Sequence, residues 1–370
     1  TEVVDRGGRP EGEIRSELAM VQILGRLSLM GAAVLASFLT GPLATAFVEN
    51  PEKIVWFALI IPVLSIVGGL FVKLEPVDHP EHAGFSKTVM TGGLLYAAFM
   101  LVMAFWSMIV EQSSGTLQTV LEALSPYTQE LTFVVSAILL VYLLFWLLKD
   151  EAKERRKTIL LVLLAIFIFR ATPSVGPGAT WWVIDVLGFD QNFLGLLRII
   201  GATIPLLILW LFADFIASKP VRSVLMFLIL IGALLSLPEI GLFYNIHEIL
   251  GWSPRFIMVV DTVWDSPLLH ISMIPMLALI AYYAPAHSRG TWFAVAASFM
   301  NLALTADKIG SKYLNQIFVV SREVKDSTGA IITNADYSDL GLLMITSLVV
   351  GTIIPLIAIY LCLKKAKLKT

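Results

Sequence analysis

The chain has 370 residues, of which 57% are hydrophobic and 15% charged, with a mean hydropathy of +0.83 and a formal net charge of −2. A soluble domain carries about 25% charged residues, so a water-soluble globule is excluded, and the near-neutral balance argues against a nucleic-acid partner. The single cysteine, Cys362, has no partner for an intrachain disulfide.

The opening TEVVDRGGRP lacks an initiator Met and carries no secretory signal pattern. The expectation is that residue 1 is not the start of the gene product. A membrane span needs about 20 mainly apolar residues to cross about 30 Å of hydrocarbon. Ten stretches qualify: 18–46, 54–74, 88–110, 130–148, 158–182, 191–216, 222–244, 256–284, 291–318 and 339–363. Lipid offers the backbone no hydrogen-bond partner, so all ten are expected to be helices. With both termini inside, seventeen Lys and Arg fall on inner segments and four (Lys53, Arg255, Arg322, Lys325) on outer ones. That asymmetry sets the expected orientation, with cytoplasmic termini in a plasma or inner membrane. DEAKERRK (150–157) and SREVKDSTGAIITNADYSD (321–339) read as solvated connectors.

The fifth span breaks its own pattern. In FIFRATPSVGPGATWWVIDVLGF, 167–189, a cation is followed by two prolines and two glycines. Arg170 lies about 13 residues into the span, roughly 20 Å deep at about 1.5 Å per residue. A charge there costs about 2.5–3.5 kcal/mol on insertion scales and faces a cavity or a partner. Pro173 removes a backbone donor, and the carbonyls freed by the break must line protein or water. The expected substrate-binding residues are therefore Arg170, Thr172 and Pro173, with the planar guanidinium offered to a carboxylate-like anion. The competing reading is a structural ion pair.

Spans eight and nine carry a second pattern. Asp261 and Asp265 are four apart and share a face. Asn301, Lys308, Lys312 and Asn315 fall on one stripe of span nine. Depths match pairwise, so two rungs are expected, Asp261–Lys312 and Asp265–Lys308, with Asn301 and Lys308 also facing substrate. The sharper reading is that one rung opens as a proton or substrate arrives; the plainer one is structural neutralisation. Asp307 is a competing partner for Lys308. Arg198 is expected to pair with Glu239 or Asp185, Arg26 to reach the inner headgroups, and His270 to pack as a polar residue. Trp181 and Trp182 read as an interfacial belt or a stacking surface. His79 and His82 have no further ligand for a metal. No phosphate loop or nucleophile elbow is present, so neither an enzyme nor a cofactor is expected.

From the fifth span onward the chain resembles the major facilitator superfamily, and within it the folate–biopterin transporter family. ATPS in an aromatic-rich helix, followed by LGF and FLG (193–195), is similar to the first helix of that family's second half. GTWFAVAASFMNL, 290–302, resembles its penultimate helix. LFADFIASKPVR, 211–222, resembles a degenerate form of the superfamily's inner loop, which makes Asp214, Lys219 and Arg222 a gating latch. VVDRGGRPEGEIRSEL resembles the inner loop before the fifth helix.

The resemblance implies an all-α, major-facilitator-type bundle of about ten spans here. Residues 1–75 would be the remainder of the first bundle, 76–157 two extra spans with a charged linker, and 158–370 the second six-helix bundle. The first four helices would be supplied by the rest of the same protein. The implied activity is secondary transport, by alternating access, of a small folate- or pterin-like organic anion, with a proton as coupling ion in symport. Transport of another organic solute, or a non-transporting receptor or scaffold, are the alternatives.

Overall fold

The computed structural model describes residues 10–47, 53, 56, 59–71, 87–212, 219–284, 289–325 and 331–366. Asp214, His79, His82 and most of the opening loop lie outside the described residues. The apolar runs fold as helices throughout: α1 (Glu11–Ala46), α2 (Ile60–Phe71), α3 (Lys87–Ala104), α4 (Trp106–Gln112), α5 (Gly115–Leu124), α6 (Thr128–Leu147), α7 (Lys153–Arg170), α8 (Gly178–Asp185), α9 (Gln191–Leu211), α10 (Val221–Leu235), α11 (Leu237–Phe243), α12 (Ile246–Leu250), α13 (Pro254–Tyr282), α14 (Arg289–Ile317) and α15 (Leu340–Lys365). Between α14 and α15, part of the segment expected as a solvated connector forms an exposed antiparallel pair, β1 (Val324–Lys325) with β2 (Ile331–Thr333).

Local chemistry sets the helix ends. Asp190 accepts from the Phe193 N–H at 2.8 Å and starts α9. Ser253 does the same for Phe256 at 3.2 Å, with Pro254 at the first helical position of α13. Both side chains satisfy an amide that the helix itself leaves unpaired. Arg156 folds back from α7 to donate to the carbonyls of Leu148 and Lys149 at 3.0 and 2.7 Å, so one cation of the linker caps the end of α6.

Among the described residues, six helices are long and apolar enough to cross a membrane: Gly12–Ala36, Gly115–Leu147, Gln191–Leu211, Val221–Phe243, Pro254–Tyr282 and Leu340–Lys365. A seventh forms if α3 and α4, bent by 62° at Phe105, count as one. The chain is an all-α integral membrane protein. Helices stand at all ten expected positions, but three fall short of that criterion. α2 is only 12 residues. α7 stops at Arg170, and α14 carries Asn301, Asp307, Lys308, Lys312 and Asn315. The last two are the helices that build the site.

By contact the chain forms two compact units, Thr1–Val34 with Phe133–Thr370, and Leu35–Thr132. In the first, α9 packs on α13, α15 and α14 on α7, and α10 on both α13 and α15. Its apolar core is divided. One cluster takes Ile159, Val162 and Ile166 of α7, Leu225 of α10, Leu279 of α13, Trp292 of α14 and Ile359 of α15. The other takes Trp182 of α8, Phe193 and Leu197 of α9, Leu242 of α11, Ile257 of α13, and Leu343 and Met344 of α15. On these helices the polar residues fall between the two clusters: Arg170–Ser174, Ser236–Glu239, Asp261–Asp265, Asp307–Ser311 and Ser347–Thr352. The result is a polar layer between two greasy ends, which is the arrangement a membrane-embedded site requires.

Candidate functional site in the broken helix

α7 ends at Arg170 and α8 begins at Gly178; of the seven residues between, Ala171 still donates to the Phe167 carbonyl at 2.9 Å and Pro177 still accepts from the Trp181 N–H at 3.0 Å, and the backbone between them leaves the helical ladder. Three of the freed backbone groups have side-chain partners. The Ser174 N–H donates to Asp307 Oδ1 at 3.1 Å and to Ser311 Oγ at 2.8 Å. The Pro173 carbonyl accepts from Ser347 Oγ at 2.7 Å, and the Val175 carbonyl from Asn315 Nδ2 at 3.2 Å. Asp307, Ser311 and Asn315 are spaced i, i+4, i+8, a single stripe of α14 facing the break. In the low dielectric between helices such pairing is what lets an irregular backbone persist.

Close approach is built in as well. A Cβ on Gly310 would lie 2.9 Å from Pro173 Cγ, and one on Gly178 would lie 2.9 Å from Val320 Cγ1. Gly176 takes φ +79°, a left-handed conformation that glycine adopts without cost.

The break has two sides. On one, Phe169, Thr172, Pro173, Ser174 and Val175 line a cavity of about 350 Å³ closed by α10, α11 and α15. Thr172 and Pro173 are thus part of a cavity wall. Glu239 is the single ionisable residue of that lining. On the other side, Arg170 lies against the thioether of Met273 on α13. Its Nε is buried with no hydrogen-bond partner among the described residues. Arg26 of α1 acts electrostatically on both Arg170 and His270.

Arg26 is therefore an electrostatic neighbour of Arg170 and His270. Ile23 and Met30 flank it along the same helix and bury against Ile274 and Ala278 of α13, which draws that face of α1 inward.

The other expected residues divide in the same way. Asn301 and Lys308 are on the exposed side of α14. Asp261 and Asp265 make no ion pair with Lys308 or Lys312 among the described residues. α14 packs chiefly on α7. The electrostatic neighbours of Asp261 are acids instead, Glu239 and Asp265. Asp307 serves the backbone of the break and Ser311.

Arg198 does not take Asp185, which is held by Arg322 in a two-point ion pair at 2.7 and 2.9 Å and by the Tyr337 hydroxyl at 2.6 Å. Trp182 is neither belt nor platform. It is 5% exposed, with its ring 5.3 Å from that of Phe243. At the far end Arg222 stacks on the Tyr360 ring at 4.8 Å, and Lys219 lines a separate apolar cleft with Phe212 and Ile271.

Sequence reasoning missed Asp307, Ser311, Gly310 and Ser347 as supports of the break. A signal was present: the polar i, i+4, i+8 set Asp307, Ser311 and Asn315, which shares Asn315 with the lysine stripe that drew attention.

A profile of the BT1 family matches residues 15–369. A protein of Synechocystis sp., the "Folate-biopterin transporter", is 31% identical over 149 residues, which cover 40% of this chain and 30% of that protein. The match thus spans less than a third of the length of that curated relative. No solved structure matches the chain.

Proposed function

This chain belongs to the BT1 family, and from that membership we propose that it serves a secondary transporter that moves a folate- or pterin-like organic anion across the membrane. The observation that carries the proposal is the supported helix break beside Arg170. A side-chain stripe, two close-packed glycines and a buried, unpartnered guanidinium nitrogen at one depth are expensive features that a plain scaffold has no use for. They fit a substrate site placed at a discontinuous helix, with two bundles rocking around it. The name of the Synechocystis relative suggests the substrate class.

In this reading Arg170 holds an anionic group bidentately, helped by the field of Arg26. Thr172 and Pro173 shape the wall. Asp261 and Asp265, unpaired with any cation among the described residues, are the acids proposed to carry a coupled proton. Lys308 and Lys312 take part only if α14 turns toward α13 during the cycle, and Asn301 joins them on that face. Lys219 and Arg222, with Asp214, form the inner latch. The cation asymmetry supports cytoplasmic termini in a plasma or inner membrane.

The test is uptake of labelled folate and pterin by cells making the full-length protein, beside Arg170→Ala at equal membrane abundance. Loss of uptake in the variant supports the anion site. Undiminished uptake makes Arg170 structural. No uptake by the unaltered protein removes the substrate assignment.

A further inference from the structure

The cavity beside the break is lined mostly by hydrogen-bond acceptors. Ser236 Oγ donates its proton to the Gly232 carbonyl at 2.9 Å, Thr352 Oγ1 to Leu348 at 2.7 Å, and Ser347 Oγ to Pro173 at 2.7 Å. Ser311 Oγ accepts from the Ser174 amide and donates to Asp307 at 3.2 Å, which leaves the Ser174 hydroxyl to donate to Ser311 at 3.1 Å. With their protons committed, the hydroxyls of Ser174, Ser236, Ser347 and Thr352 present lone pairs to the cavity, and Thr172 supplies the one lining hydroxyl not so committed. Glu239 adds a carboxylate that makes no hydrogen bond or ion pair among the described residues, and no Lys or Arg lines the space. Asp261 and Asp265 are the electrostatic neighbours of Glu239.

A ligand for this chamber must bring donors, and it must be compact. The volume of about 350 Å³ lies at the small end of the about 300–1,000 Å³ of ligand pockets. That is room for a bicyclic ring and far more than a bare ion fills. A carboxylate facing two parallel N–H groups is the strong, bidentate form of hydrogen bond. Among heterocycles that arrangement is the 2-amino-4-oxopyrimidine edge, where the exocyclic amine and the ring N3–H point the same way. The flanking apolar walls, Phe169, Val175, Leu228 and Met344, suit a flat ring.

We infer that Glu239 is the specificity-determining acceptor for the guanidine-like edge of a pterin ring bound in this cavity. The inference rests on the pterin-type substrate proposed above and adds where the ring goes. The cationic side of the break, at Arg170, is then left to the anionic end of the molecule.

The experiment measures binding of pterin and of lumazine, its 2-oxo analogue, to the purified full-length protein and to Glu239→Gln. An amide at 239 offers one acceptor and one donor, which matches the N3–H and 2-oxo edge of lumazine. The variant is expected to lose about ten- to a hundredfold in pterin affinity, the scale of hydrogen bonds to a charged group, while lumazine affinity holds or rises. That reversal cannot arise from a merely unfolded variant, and Glu239→Asp should retain the pterin preference.

Equal loss of both ligands, or no change in either, overturns the assignment of Glu239 while leaving pterin transport standing. Unchanged pterin affinity with altered sodium or proton dependence overturns it in favour of a cation site. Failure of the unaltered protein to bind pterin removes this inference and the substrate assignment together.

Discussion

Two helices of this protein are interrupted, and they are interrupted in different ways. The α3–α4 pair bends by 62° at Phe105, yet the Phe105 N–H still donates to Leu101 and its carbonyl still accepts from Ile109, both at 3.0 Å. The ladder is bent but not opened. A single side-chain contact stands by, Trp106 Nε1 donating to Ser125 Oγ at 3.0 Å. The α7–α8 interruption opens the ladder fully, and Asp307, Ser311, Asn315 and Ser347 from two other helices occupy the freed groups. Bending a helix needs only local geometry. Opening one in a membrane needs partners at fixed positions on neighbours, because each unpaired backbone group costs several kcal/mol there. The second arrangement is the one beside which the substrate site is proposed.

The largest contrast between the two interruptions is expected from a matched pair of glycine substitutions. Gly310→Leu would drive a side chain into Pro173, whose Cγ lies 2.9 Å from where a Cβ on residue 310 would stand, whereas nothing lies within 4 Å of one on Gly93 in α3. Thermal unfolding in detergent should show Gly310→Leu destabilised by about 1–3 kcal/mol or more and Gly93→Leu close to the unaltered protein. Equal losses would mean that the two interruptions are equally constrained.

A smaller effect is expected from removing one support at each place. Ser311→Ala takes away an acceptor for the Ser174 amide at a residue only 8% exposed and should cost about 1–3 kcal/mol. Ser125→Ala takes the acceptor of Trp106 on a half-buried surface and should cost about 0.5–1.5 kcal/mol. Denaturant titration of both variants orders them, and the reverse order would contradict the distinction between opened and bent ladders.

The mildest effect is a pH dependence outside the membrane. The Asp185 carboxyl is held below the usual carboxylate range by hydrogen bonds from Arg322 first and from Tyr337 second. The Tyr337 phenol is pushed up to about 12 by burial and then by Asp185. A depressed acid contributes stability above its ordinary pKa and loses it as pH falls through the depressed value. This clamp ties the end of α8 to the segment carrying the strand pair. Hydrogen exchange in residues 321–325 and 331–337 should therefore stay slow down to the ordinary carboxylate pKa of about 3.9 and rise only below it. Asp185→Asn should show the faster exchange already at neutral pH. Exchange that is indifferent to both would show the clamp to be ornamental.

Much of this was legible from the chain. The membrane class, the helical content and the interruption after Arg170 followed from apolar run length and from Pro173, Gly176, Pro177 and Gly178, all local quantities. So did the polarity of α14, visible as Asn301 to Asn315. Partner choice was not legible. Matching depths suggested acid–lysine rungs between α13 and α14, but depth fixes one coordinate, and the azimuth of each helix is set by which neighbour it packs on. Once α14 packs on α7, the stripe at 307, 311 and 315 faces the break.

Arg26 shows the same limit. Its sequence position suggested the headgroups, and the burial of Ile23 and Met30 against α13 brought it beside Arg170 and His270. What each helix is made of, and where it must fail, can be read along the chain, because propensity and hydropathy act over a few residues. Which side chains meet at the failure is settled in the packed fold, because a helix presents one face to each neighbour and packing selects it.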